Sequence, residues 1–286
     1  MENKTFEERA KAIANRHTME LQLDTIYNMD CLEGMRTLPD GSVDLVVTSP
    51  PYDTMRLYGG IAKQWNFKKF KSIASEMVRL IKDGGAIVWV VGDETINHSE
   101  TGNSFRQALH FMELSLNLQD TMIFQKKNPL PGYKPTSYGQ AFEYIFVLTK
   151  GVLQTFNPIM VDTVTRKTTY NKVNKWSRET GKTTSGSKIK MTNSHRPHYN
   201  IWEYAIGRQN GGEFHPAVFP LQLPMDMIFT YSNEGDTILD PFMGSGTTAV
   251  ACIKEKRHFI GFELNEEYHK KAVKRVQAEL AQTRLF

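Results

Sequence analysis

The sequence predicts an α/β fold: a twisted, mostly parallel sheet with helices on both faces and one inserted segment. Three observations predict it. Short apolar runs alternate with segments of helical periodicity along most of the chain. One such run, 237–240, opens directly onto a glycine loop and then a helix. A basic stretch rich in Ser, Thr, Asn and Gly, 151–212, breaks the alternation before it resumes.

The elements follow in order. A first strand is expected at 24–27. The next, 42–47, runs into Thr48-Ser49-Pro50-Pro51-Tyr52. A proline lacks the N–H that a central ladder needs, so the strand ends there and the loop sits at its C-terminal edge. Within 67–82, Phe70, Ile73, Met77 and Leu80 recur at helical spacing, and Asp83-Gly84-Gly85 is expected to stop that helix. Residues 86–91 are continuously apolar, as in a strand covered on both faces. A helix near 104–116 and strands near 121–124 and 144–148 complete the first part. After the insertion come a helix at 221–229, a strand at 237–240, a helix at 247–256, a strand at 258–262 and a last helix capped by Asn265. The expected organisation is therefore a core from 1–150 and 213–286, with 151–212 inserted.

Composition narrows the class. The 286 residues are 40% hydrophobic with a formal net charge of +4, enough for a buried core and compatible with a polyanionic partner. Two cysteines, Cys31 and Cys252, make neither a disulfide framework nor a zinc site. The N-terminal stretch is charged and no window approaches the roughly eighteen apolar residues of a membrane span, so a cytoplasmic protein without membrane association is expected. In the insertion, Lys167, Lys172, Lys175, Arg178, Lys182, Lys188, Lys190 and Arg196 are candidates for phosphate contacts, interleaved with Tyr170, Trp176, Tyr199 and Trp202. His195 and His198 lack a neighbouring cysteine or acidic cluster, and no metal is expected.

The glycine loop reads Asp240-Pro241-Phe242-Met243-Gly244-Ser245-Gly246-Thr247-Thr248. Gly244 and Gly246 allow a tight turn and close approach of a ligand to the backbone. Glu263 ends the next strand about twenty residues on, where an acidic side chain reaches ribose hydroxyls. No lysine follows Gly246, which argues against a Walker loop. The dinucleotide fingerprint is incomplete, with Ala249 at its third glycine position.

Two segments now carry a resemblance. Thr48-Ser49-Pro50-Pro51-Tyr52 resembles the catalytic motif of DNA amino methyltransferases, and the Asp240–Thr248 loop resembles their cofactor motif. The catalytic motif comes first, with the basic insertion between, which is similar to the β class of that family. The resemblance covers about 23–150 and 213–281. It implies a Rossmann-like S-adenosylmethionine-dependent methyltransferase fold, S-adenosylmethionine as cofactor and double-stranded DNA as partner. It also admits a homodimer and a cognate restriction endonuclease.

By the same resemblance, Asp30 meets the cofactor adenine and Glu263 its ribose. Thr48, Asp240, Pro241, Phe242, Gly244, Ser245, Gly246, Thr247 and Thr248 belong to cofactor binding, and His215 closes over the methionine part. Family members often carry a lysine shortly after that histidine; here the chain reads Ala217-Val218-Phe219.

The chemistry explains the catalytic loop. An exocyclic amino nitrogen is a poor nucleophile because its lone pair is delocalised into the ring. The resemblance implies that the Ser49 side chain and the Pro50 carbonyl, a fixed acceptor in a rigid turn, accept hydrogen bonds from its protons, that Pro51 belongs to the same catalytic loop, and that Tyr52 stacks on a base flipped out of the duplex. Ser49 leans the reading towards cytosine N4, with adenine N6 as the alternative and an RNA methyltransferase of the same fold as a remoter one. Methylation at cytosine C5 would need a thiolate that follows a proline, and neither cysteine does so.

Overall fold

The computed structural model describes residues 22–51, 65–129, 138–162, 174–176, 183–185, 195–206 and 220–283. Its strands are β1 (Thr25–Tyr27), β2 (Val43–Thr48), β3 (Ile81–Val91), β4 (Thr95–Ile96), β5 (Ser99–Glu100), β6 (Asn117–Lys126), β7 (Phe142–Thr149), β8 (Met160–Asp162), β9 (Asn174–Trp176), β10 (Thr183–Ser185), β11 (His195–Pro197), β12 (Ile201–Tyr204), β13 (Thr237–Asp240) and β14 (His258–Phe262). Its helices are α1 (Cys31–Met35), α2 (Phe67–Leu80), α3 (Asn103–Glu113), α4 (Gln222–Tyr231), α5 (Thr247–Lys254) and α6 (Glu266–Thr283). Pro158–Tyr199 forms one compact unit, and the rest of the chain forms another.

The larger unit holds an eight-stranded sheet in the order β1-β14-β13-β2-β3-β7-β6-β12. Five neighbouring strands, β1 to β3 in that order, are mutually parallel. β7 runs antiparallel to both its neighbours, and β12 returns parallel to β6. The expected mostly parallel α/β sheet is therefore present. The chain leaves β2 towards β3 and leaves β13 towards β14, in opposite directions. The crevice at the C-terminal ends of β2 and β13 is thus the switch point where such sheets bind ligands.

Both faces of the sheet are covered. On one, Ile87, Trp89 and Val91 of β3 and Phe146 and Leu148 of β7 pack with Met35, Phe70, Ile73, Met77 and Phe111 from α1, α2 and α3. The alternate residues Val88, Val90, Ile145 and Val147 are fully buried on the other. That alternation is the two-residue period of a strand, and apolar side chains at both phases explain the continuous run in the sequence. The Trp89 indole donates to Gln107 Oε1 at 2.8 Å, which fixes α3 against the sheet while satisfying a buried N–H. Both cysteines are buried, as small apolar residues are.

One boundary differs from expectation. α2 stops at Leu80, and Lys82-Asp83-Gly84-Gly85 lies inside β3 rather than in a turn before it. Ile81 already pairs with Val43, and the register shifts before Leu45 pairs with Ala86. Gly84 takes φ +81°, and a Cβ on Gly85 would lie 2.6 Å from the Asp44 carbonyl oxygen. The glycines thus form a bulge that lets the strand restart in a new register.

The smaller unit shows two antiparallel pairs, β8 with β11 and β9 with β10. It lies within the stretch read from sequence as an insertion, while β12, also from that stretch, joins the large sheet at its edge.

Candidate active site

The rim at the parallel strands' C-terminal ends gathers most of the described candidates. β2 delivers Thr48 and then Ser49, Pro50 and Pro51, with Thr48 and Pro50 buried and Ser49 half-buried. β13 delivers Asp240, β14 delivers Glu263, and β1 leads through Asn28 to Asp30.

Asp240 is 2% exposed, and donors surround its carboxylate. Thr48 Oγ1 donates to Oδ1 at 2.6 Å, Thr248 Oγ1 to Oδ2 at 2.6 Å, and the Phe242 N–H to Oδ1 at 2.9 Å. Burial pushes its pKa above the ordinary carboxylate value, against the lowering effect of those three bonds. One side chain thereby ties β2, the glycine loop and the first turn of α5 together. Buried Thr48 and Asp240 act through the loops they fix.

The loop itself turns on two left-handed glycines, Gly244 at φ +54° and Gly246 at φ +78°. The Gly244 N–H donates to Glu263 Oε2 at 2.9 Å, and the Asn265 N–H to Glu263 Oε1 at 2.7 Å. Burial raises the Glu263 pKa in spite of these bonds. Phe242 is half-buried and meets the Trp65 ring edge-on at 5.3 Å, while Pro241 is buried. Thr247 and Thr248 open α5, and Ser245 precedes them in the loop. Arg275 from α6 donates to the Ser245 carbonyl at 3.2 Å and to Thr247 Oγ1 at 3.0 Å, bracing the loop from behind. Burial lowers the Arg275 pKa.

Asp30 caps α1, accepting the Leu32 N–H at 2.9 Å through Oδ1. Its Oδ2 accepts from Lys69 Nζ at 2.7 Å. Burial works to raise the Asp30 pKa, but the lysine and the helix N–H groups outweigh it and hold the carboxyl below its usual value.

Tyr52, His215, Lys167, Lys172, Arg178, Lys182, Lys188 and Lys190 lie outside the described residues. Lys175 falls on β9. Arg196 falls on β11, with its guanidinium carbon 3.6 Å from the centre of the Tyr199 ring. Among the described residues no helix is long and apolar enough to cross a membrane. Sequence reading did not single out Lys69, Trp65, Arg275 or Asn28, because each matters through a partner far along the chain.

A family model described as DNA methylase, of the N6/N4 type, matches residues 43–274. The chain belongs to that family. The orphan methyltransferase M.BamHII of Bacillus amyloliquefaciens is 41% identical over 239 residues, 80% of this chain and 86% of that protein. The Thermus thermophilus protein TTHA0409, solved with S-adenosyl-L-methionine, is 25% identical with a TM-score of 0.62, covering 89% of this chain and 93% of that one. The cytosine-N4-specific PvuII DNA methyltransferase shares the fold, at a TM-score of 0.66 and 20% identity over 88% of this chain and 85% of that one.

The protein is thus an S-adenosylmethionine-dependent DNA amino-methyltransferase, and the rim fits that cofactor on its own chemistry. A half-buried carboxylate, Glu263, stands beside a glycine turn, as ribose hydroxyls require. Phe242, within the loop, meets Trp65 edge-on. A second carboxylate, Asp30, is held ionised.

Proposed function

We propose that the chain methylates the N4 amino group of a cytosine flipped out of double-stranded DNA. One observation carries the reading: the 2.6 Å bond from Thr48 to Asp240 joins the strand that ends in Ser49-Pro50-Pro51 to the strand that opens the glycine loop. A catalytic loop and a cofactor loop braced against each other hold the reacting groups at fixed separation, and such positioning lowers the barrier.

S-adenosylmethionine supplies an electrophilic methyl group. Ser49 and the Pro50 carbonyl accept hydrogen bonds from the two amino protons and draw the nitrogen lone pair out of conjugation, and the methylated nitrogen then sheds one of those protons to solvent. The proline carbonyl is an acceptor set in a stiff turn, so little reorganisation is needed. Asp30 accepts from the adenine, Glu263 from the ribose hydroxyls, and the glycine loop from Pro241 to Thr248 wraps the cofactor. Tyr52 stacks on the extruded base, and His215 closes over the methionine end. The 151–212 region, with Lys175 and Arg196, contacts the DNA backbone and recognises the target. Ser49 is what favours cytosine.

The test is nucleoside mass spectrometry of DNA from a host without other methylation, expressing this chain. N4-methylcytosine is expected; N6-methyladenine would replace the cytosine assignment.

A further inference from the structure

The contacts around the rim close into a ring. Glu263 accepts from the Gly244 N–H, two residues after Phe242. Phe242 meets Trp65 edge-on. Trp65 stands immediately before the start of α2, whose Asn66 cap and first turn carry Lys69. Lys69 pairs with Asp30 at 2.7 Å. Asn28, two residues before Asp30, donates through Nδ2 to the Glu263 carbonyl at 2.9 Å and the Leu264 carbonyl at 3.2 Å, which returns to the start. Glu263, the glycine loop and Asp30 have a cofactor role in the reading above; Asn28 and Lys69 have none.

We infer that Lys69 is a positioning residue for the cofactor adenine, acting through its ion pair with Asp30. This rests on the reading of Asp30 as the adenine acceptor. The geometry supplies the reason. Asp30 has one oxygen committed to the Leu32 N–H of its own helix. Lys69 holds the other, so the carboxylate plane cannot rotate, and the lone pairs left over keep one direction. Side chains at both ends of the pair are about a quarter exposed, 25% for Lys69 and 23% for Asp30, so solvent screens the pair only in part.

Lys69 also sets the charge on its partner. Burial alone would push Asp30 towards the neutral acid, which cannot accept through the protonated oxygen. The charged and polar groups acting on Asp30 are Lys69 from α2 and the Leu32 and Glu33 N–H groups from α1. The adjoining Cys31 thiol is pushed up to about 12 by burial and stays neutral. The lysine is therefore the one full positive charge in that set.

The experiment measures binding of S-adenosylhomocysteine by calorimetry, from about pH 8 down to about pH 5, above the ordinary carboxylate range. The proteins are the native chain, Lys69→Met, Lys69→Arg and Asp30→Asn, each checked for an intact melting transition. Glu263, whose pKa burial raises, is common to all four proteins, so each profile is read relative to the native one. Lys69→Met should bind roughly 3- to 10-fold more weakly at neutral pH and weaken further towards the acid end. Lys69→Arg, which keeps the charge, should restore most of the affinity and the native pH profile. If Lys69→Met matches the native affinity and profile while Asp30→Asn binds weakly, the inference fails and the adenine reading stands. If Asp30→Asn binds as the native protein does, the adenine reading fails and the inference with it. A uniform, pH-independent loss in Lys69→Met that Lys69→Arg does not relieve assigns the lysine to helix packing, and overturns the inference.

Discussion

Replacing Thr48 by valine keeps the outline of the side chain and deletes one donor from a buried carboxylate. Asp240 would retain Thr248 on Oδ2 and the Phe242 N–H on Oδ1, and lose the 2.6 Å bond from β2. Hydrogen bonds to charged groups contribute about 1.5–3 kcal/mol, and at 2% exposure water has little room to replace the lost donor. At about 2–4 °C per kcal/mol for domains of this order of size, Thr48→Val should melt roughly 3–12 °C below the native protein. Cofactor affinity should fall with it, because the glycine loop loses its brace to β2. The companion change, Asp240→Asn, gives the sign of the charge. Asp240 has a raised pKa in the fold, so its contribution is fully present below the unfolded carboxylate value and fades as pH rises through the raised folded value. Asparagine cannot ionise, so its stability relative to the native protein should improve as pH rises through that window. Thermal unfolding and calorimetric titration with S-adenosylmethionine read both effects. A Thr48→Val protein that melts within about 1 °C of native, with unchanged affinity, would refute the bracing role.

Glu263→Ala removes the acceptor for the ribose hydroxyls and the anchor of the Gly244 N–H. It should weaken S-adenosylmethionine binding by about 1.5–3 kcal/mol, and an unchanged dissociation constant in calorimetry would reject the assignment. Replacing several lysines between Lys167 and Lys190 by glutamine should weaken DNA binding and flatten its dependence on salt while sparing cofactor affinity. Fluorescence anisotropy over a salt series would show this, and an unchanged slope would move the DNA-binding surface elsewhere.

Much of the core was legible because its signals are local. β2, β13 and β14 are apolar runs that end at Pro-Pro, at a glycine loop and at an acidic residue, and α5 follows its loop directly. β12 was not legible: its four residues sit in polar surroundings and become a strand only through pairing of Ile201 with Ile123. The Gly84-Gly85 bulge read as a helix stop because a glycine pair looks alike in a turn and in a bulge. Only the Val43–Ile81 pairing separates the two. Glu263 stood out by its place after a strand, and Asp30 only by resemblance to the family. Their restraints could not be read, since Lys69 lies 39 residues from Asp30 and Asn28 lies 235 from Glu263. Arg275 sits in a helix rich in charge, and its contact with the glycine loop is purely tertiary.

Single-turnover methyl transfer by Ser49→Ala tests the central claim most directly. The substitution removes one acceptor for the amino protons and leaves Thr48, Asp240 and the glycine loop in place. With enzyme in excess over a duplex carrying one target, the transfer rate should fall about 10²–10³-fold, the usual loss for one preorganised hydrogen bond. S-adenosylmethionine affinity should stay close to native, because the lost interaction strengthens only as the nitrogen becomes tetrahedral. A Ser49→Ala protein that transfers at the native single-turnover rate would contradict the account.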